Sequence, residues 1–256
     1  MLIAALGSSF AAGPTLEPVA ERAAMRSAVN YPHRLARALG ADLVDLSVSG
    51  ATTATILDDA QTIAPTVQFP PQIDGLPADA DLVTITAGGN DLRYIGSLLA
   101  TAWRRHDPTA PMATLLGPQY PRIPPATEDA VGAVAHGLAR IVDAARARAP
   151  RARVVLVDYL TVLDPGSRSA VVDFADDELA AFRALQDGLE RAYRSAAARS
   201  SAELLAVSEL SRGHGLGSAQ PWIGDFVPDA RRTAGSFHPT AAGMAAVADL
   251  LDMSLR

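Results

Sequence analysis

A serine becomes a nucleophile only when a base takes its proton and donors hold the oxyanion that follows. Candidates for all three parts occur along this chain. Ser9 stands in Gly7-Ser8-Ser9-Phe10-Ala11-Ala12-Gly13, where small residues allow a tight turn and close approach of a substrate to the backbone. Taken alone, Ser9 reads first as a turn or helix-cap serine. Gly50, in Ser47-Val48-Ser49-Gly50-Ala51-Thr52-Thr53, offers an N–H with no Cβ in the way, and Asn90, in Thr86-Ala87-Gly88-Gly89-Asn90-Asp91, offers an amide. Both are donor types that an oxyanion hole uses. Their plainer readings are the start of a helix turn and a sharp strand-to-helix turn.

Five histidines compete for the role of base. His238, in Ser236-Phe237-His238-Pro239-Thr240-Ala241-Ala242-Gly243, precedes a helix whose entry is set by proline and small residues, so its loop can aim an imidazole at a sheet edge. His33 and His136 fall inside helical patterns and read as packing or surface residues, whereas His106 and His214 lie in loops where substrate contacts concentrate.

Composition excludes much else. All 22 basic residues are arginine and there is no cysteine, which removes lysine Schiff bases, the P-loop lysine, thiol nucleophiles, thiolate metal sites and disulfides. A formal net charge of −6 argues against a nucleic-acid partner, which a basic face would have to neutralise. Ser9 lacks the Gly-x-Ser-x-Gly elbow, and neither His-Glu-x-x-His nor a dinucleotide glycine fingerprint occurs. Asp58-Asp59 and Asp173–Glu178 read as solvated helix faces or starts rather than metal ligands. No cofactor and no metal are expected. No stretch is long and apolar enough for a membrane helix, and the N-terminus lacks the basic region of a secretory signal, which sets a cytoplasmic expectation, or a secreted one if a leader has been removed.

The elements that must position these residues follow from periodicity. Apolar runs of strand length occur at 2–6, 43–46, 82–86, 154–158 and 204–207, separated by helical patterns at 31–39, 130–149, 176–198 and 240–251. Strands alternating with helices predict a five-stranded parallel sheet in a three-layer α/β/α sandwich, with residues 1–256 as one domain. Three Pro- and Gly-rich stretches, 62–80, 106–126 and 211–237, read as rim or lid material at the carboxyl edge, where open α/β sheets bind ligands. Their apolar and aromatic residues, Trp103 nearby, Leu115, Leu116, Tyr120, Trp222, Ile223 and Phe226, suit either an acyl chain or the core.

Together the blocks Gly7-Ser8-Ser9, Ser49-Gly50-Ala51-Thr52, Gly88-Gly89-Asn90-Asp91 and Phe237-His238-Pro239 resemble, in order and spacing, the SGNH hydrolases, also called GDSL esterases and lipases. The resemblance spans essentially the whole chain and extends through Tyr31-Pro32-His33 and Pro221-Trp222-Ile223 to actinobacterial esterases of that family. It implies a flavodoxin-like sandwich and a serine esterase or lipase acting on a small-molecule or lipid ester. Ser9 would be the nucleophile and His238 the general base, with an oxyanion hole of the Ser9 N–H, the Gly50 N–H and the Asn90 side chain. Trp222, Ile223 and Tyr120 would contact substrate. An acyltransferase on the same site, or a non-catalytic sandwich binding a small ligand, are the alternatives.

Three departures from the family pattern stand out. Ser8 replaces the aspartate of Gly-Asp-Ser, and Gly235 stands where an aspartate three residues before the histidine completes the triad. The expectation is therefore a main-chain carbonyl, most simply that of Gly235, accepting the His238 Nδ1–H, with Asp225 and Asp229 as the carboxylates able to replace it. Finally, the secreted relatives carry disulfides, whereas Gly213-His214-Gly215 has glycine where a cysteine is expected, which places secretion in question and predicts mobile rim loops.

Overall fold

The computed structural model describes all 256 residues. The three innermost strands, β1 (Leu2–Gly7), β3 (Leu82–Thr86) and β4 (Arg153–Val157), are buried along nearly their whole length, as strands covered on both faces must be. β2 (Asp42–Asp45) and β5 (Glu203–Leu205) are the partly exposed edges of a five-stranded, all-parallel sheet in the order β2-β1-β3-β4-β5. The order reverses beside β1, so the crevice outside the carboxyl ends of β1 and β3 is the topological switch point.

Between the strands run α1 (Ser9–Ala12), α2 (Tyr31–Leu39), α3 (Thr53–Leu57), α4 (Tyr94–His106), α5 (Pro111–Leu116), α6 (Glu128–Arg148), α7 (Asp176–Ser200), α8 (Val207–Leu210) and α9 (Ala241–Leu255). The chain steps from β1 to β2 on one side and then back past β1 to β3, β4 and β5 on the other, so crossovers of one hand put α2 on one face and α6 and α7 on the other. Accordingly α2 packs on α9, while α6 packs on α3 and α7. Start signals explain the long helices. Asn30 caps α2 by accepting the His33 N–H at 3.1 Å, and Thr127 and Thr240 cap α6 and α9 with their hydroxyls. Asp176, Asp177 and Glu178 occupy the first turn of α7, where acids complement the helix dipole. Asp58 pairs with Arg140 at 3.1 Å, so both acidic stretches are helix ends or surface ion pairs.

The strand and helix expectations hold to within a few residues, and the rim is where the structure departs from them. The segment 62–80 is not plain loop: Gln61–Ala64 and Val67–Phe69 form an antiparallel ribbon followed by a 3-10 turn at Gln72–Gly75. The segment 106–126 contains α5, begun by Pro111. α4 was not foreseen, because it starts at Arg93 in the left-handed region (φ 58°) with no side-chain cap, and its periodicity merges with the turn after β3.

Candidate active site

Chain direction at the end of β1 puts Ser9 at the first position of α1, with its hydroxyl and its unpaired first-turn N–H at the switch point. Ser9 Oγ lies 2.8 Å from His238 Nε2. On the other side of the ring, His238 Nδ1 lies 2.9 Å from the Ser236 carbonyl. A carbonyl only accepts, so Nδ1 carries the proton and Nε2 is left as a bare acceptor for the serine hydroxyl. Burial pushes the imidazole down from 6.5 to about 4, and the bond to Ser236 offsets only part of that. At neutral pH the ring is uncharged, and its Nε2 is free to take a proton.

Gly235 does not supply this carbonyl, which corrects the expectation. Its oxygen accepts the His238 main-chain N–H at 3.3 Å, whereas Ser236 is extended and Phe237, at φ 60°, folds the imidazole back over the Ser236 oxygen. Neither acid reaches the histidine. Asp225 accepts from Ser169 Oγ and the Ala170 N–H, and Asp229 accepts the Arg231 N–H in its own turn.

Gly50 sits at φ 87°, a conformation that favours glycine, and its exposed N–H donates to no protein acceptor. Asn90 Nδ2 donates to the Ala51 carbonyl at 2.8 Å, which leaves its second amide hydrogen free. Asp91, one residue on, accepts the Thr53 N–H and hydroxyl, so the loops after β2 and β3 are tied to each other twice. Ser9, Gly50, Asn90 and His238 open on one cleft of about 280 Å³.

The model of the GDSL-like lipase/acylhydrolase family matches residues 5–246. The chain belongs to that family. It is 34% identical over 222 residues to Lipase 2 of Streptomyces coelicolor, covering 82% of this chain and 70% of that protein. Two solved structures share the fold. The extracellular lipase of Streptomyces rimosus superposes with a TM-score of 0.72 at 24% identity, covering 99% of both chains. The phospholipase A1 of Streptomyces albidoflavus NA297 does so with a TM-score of 0.74 at 21% identity, covering 98% of both. This GDSL-like protein is thus a carboxylic ester hydrolase with the SGNH α/β sandwich. No helix is long and apolar enough to cross a membrane, and the cytoplasmic expectation finds no support in a relative described as extracellular.

The GDSL-like family pattern is altered at Ser8, and the structure shows what replaces the aspartate. Ser8 Oγ lies 2.7 Å from the Tyr159 hydroxyl, which also accepts the Gly89 N–H at 3.2 Å, while the Tyr159 ring stacks on Phe10 at 4.2 Å. One buried phenol thereby joins the ends of β1 and β3. Gln72 acts similarly from the ribbon side: its amide pairs with both the N–H and the carbonyl of Gly7, at 2.8 and 2.9 Å. Neither residue is marked by the sequence, although Tyr159 stands two residues past the end of β4, where site residues gather.

Of the residues expected to contact substrate, Tyr120 lines the cleft together with Leu116, Ile95 and Leu99. Trp222 and Ile223 do not, a second correction. Ile223 is buried and bridges Pro239, and Trp222 stacks face to face on His214 at 3.9 Å, so this pair braces the His238 loop instead. Trp103 and Phe226 are core residues packed edge to face, with His106 beside them, and Leu115 is exposed. His33 bonds to Asn30, and His136 lies on the exposed side of α6.

Proposed function

We propose that this hydrolase works through a Ser9–His238 dyad oriented by the Ser236 carbonyl, a reading carried by the 2.8 Å contact between Ser9 Oγ and a neutral His238 Nε2. His238 takes the Ser9 proton as Oγ bonds to the ester carbonyl carbon, and the electron pair moves onto the carbonyl oxygen. The Ser9 and Gly50 N–H groups and the free hydrogen of Asn90 Nδ2 are the donors for that oxyanion. As the tetrahedral species collapses, the imidazolium at Nε2 gives its proton to the departing alkoxide, which leaves as alcohol. Water, deprotonated by His238, then attacks the acyl-serine, and Ser9 departs with the proton as the carboxylic acid is released.

The apolar wall of Leu116, Tyr120, Ile95 and Leu99 suits the acyl portion of a lipid or small ester. Relatives named lipase and phospholipase A1 support that class. The buried apolar residues from Ile3 to Leu251 form one contiguous cluster, which supports a single domain over residues 1–256. The test is hydrolysis of p-nitrophenyl esters from acetate to palmitate by the wild type and Ser9→Ala. Ser9→Ala is expected to lower kcat by about 10⁴–10⁶ with the fold intact by circular dichroism, and the chain-length optimum sizes the cleft. Turnover by Ser9→Ala close to wild type overturns the mechanism.

A further inference from the structure

Beside the Ser9 cleft lies a second concavity of about 190 Å³, and the two share Met25 and Ala234 as their dividing wall. It gathers Arg22, Arg26 and Arg231 and contains no carboxylate, in a chain whose net charge is −6. Arg26 is occupied, since its Nε donates to the Ser47 carbonyl at 2.8 Å and stands 3.5 Å from Asp45. Arg22 and Arg231 are not. Both are exposed and neither side chain has a hydrogen bond or a carboxylate partner, whereas Arg140, Arg153 and Arg191 on other faces pair with Asp58, Glu203 and Glu128. The acids nearest to them in sequence are turned to main chain: Glu21 accepts the Ala23 N–H and Asp229 the Arg231 N–H.

Two guanidinium groups brought to one concavity from separate segments repel each other, and an anion between them reverses the sign of that interaction. The backbone there is also forced. Thr15 (φ 66°) and Met25 (φ 49°) line the concavity in the left-handed region, which costs a side-chain-bearing residue about 1–3 kcal/mol and is a feature that clusters at ligand clamps. The shared wall fixes what such an anion belongs to. With the acyl chain on Leu116 and Tyr120, as proposed above, a group beyond Met25 belongs to the other part of the ester.

Resting on the esterase reading above, we propose that Arg22 and Arg231 form the subsite for an anionic group, phosphate or carboxylate, carried by the alcohol portion of the substrate. Guanidinium forks match the paired oxygens of either group. Because both side chains are exposed and screened by salt, each contributes about a tenfold preference rather than more.

The experiment compares kcat/KM on butyryl glycerol, butyryl glycerol 3-phosphate and the butyryl ester of 3-hydroxypropanoate, for the wild type, Arg22→Gln, Arg231→Gln and the double variant. The wild type is expected to favour an anionic ester at low salt, with the preference shrinking as salt is added. The anionic-to-neutral ratio falls by about tenfold in each single variant and by about a hundredfold in the double variant, mostly through KM. A preference confined to the phosphate ester assigns phosphate, and one shared by both anionic esters assigns a general anion site. An unchanged ratio in the double variant overturns the subsite. A separate readout keeps the two readings apart: calorimetric binding of propyl phosphate against 1-propanol to the wild-type protein. Propyl phosphate binding that weakens in the double variant, in a protein that hydrolyses no ester, sinks the esterase reading and keeps the anion site. Propyl phosphate binding no tighter than propanol sinks the site while neutral-ester hydrolysis upholds the esterase.

Discussion

The floor of the cleft and its rim are built in contrasting ways. The floor lies at the ends of β1, β2 and β3, where buried and part-buried bonds tie the segments together: Gln72 on Gly7, Tyr159 on Ser8 and Gly89, Asn90 on Ala51, and Asp91 on Thr53. On the rim, the wall from α5 to Tyr120 and the Arg22–Met25 turn are half-exposed and rest on short elements with few side-chain bonds. A rigid floor suits charge development at one fixed carbonyl oxygen, which needs donors that do not reorganise. A looser rim suits recognition of chain length and charge, where small shifts cost little. Changes in the floor should therefore act on kcat, and changes in the rim on KM.

Asn90→Ala breaks that comparison at its strongest point. Loss of one oxyanion donor is expected to lower kcat by about 10²–10³ on short esters, with KM little moved. Equal losses in kcat and 1/KM, measured by initial rates, would remove Asn90 from the floor.

The pH dependence comes next. His238 is neutral in the folded protein down to about pH 4, against 6.5 for an exposed imidazole. At this group the unfolded chain therefore binds more protons between those values, so the His238 contribution to stability rises with pH across that window, while Asp158, whose burial pushes its carboxyl up to about 7, contributes with the opposite sign. About 3 kcal/mol of that His238 contribution is lost on acidification from pH 6.5 to 4, and none of it returns below. His238→Gln removes this titration, so the change in urea midpoint on going from pH 7 to pH 4.5 should shift towards greater acid stability in the variant relative to the wild type. The acid limb of kcat/KM should likewise fall well below pH 6.5. A limb at 6.5 would mean the imidazole is solvated before substrate arrives.

How much of this was readable in the sequence divides along the same line. Strand ends are tied to composition: a buried apolar run followed by small residues fixes where Ser9, Gly50 and Asn90 stand, so the sheet and the floor positions were legible. Gly235 against Ser236 was not, because one residue of offset is decided by the left-handed turn at Phe237, a conformation that no residue type there announces. Trp222 and Ile223 were misread for a different reason. Aromatic and branched residues serve a core and a pocket equally, and only the bridge to Pro239 and the stack on His214 separate the two. Tyr159 and Gln72 act across 151 and 65 residues of chain, a separation over which spacing carries no information.

Tyr159→Phe sharpens the comparison from the floor side. It removes one hydroxyl and leaves the Ser8 hydroxyl and the Gly89 N–H buried without that partner, which should cost about 1–3 kcal/mol of stability. Because both groups flank Ser9 and Asn90 in sequence, kcat should fall several-fold with KM little changed. A stability loss with unchanged kcat would make Tyr159 a brace and not part of what holds the donors.

The smallest effect belongs to Asp225→Asn, and its smallness is the informative part. In a triad the carboxylate holds the imidazole tautomer, and its amide replacement lowers kcat by about 10⁴. Here the Ser236 carbonyl already fixes the Nδ1 proton, and the Asp225 oxygens are committed to Ser169, Ala170 and the Phe226 N–H. An amide in its place keeps one acceptor oxygen and should lower kcat by no more than about threefold, with about 1 kcal/mol lost from the loop that carries His238. A thousandfold loss in Asp225→Asn or Asp229→Asn, measured on the same ester, would mean that the loop rearranges during turnover to bring a carboxylate onto His238. In that case the floor is completed by the rim, and the division between them would fail at the base itself.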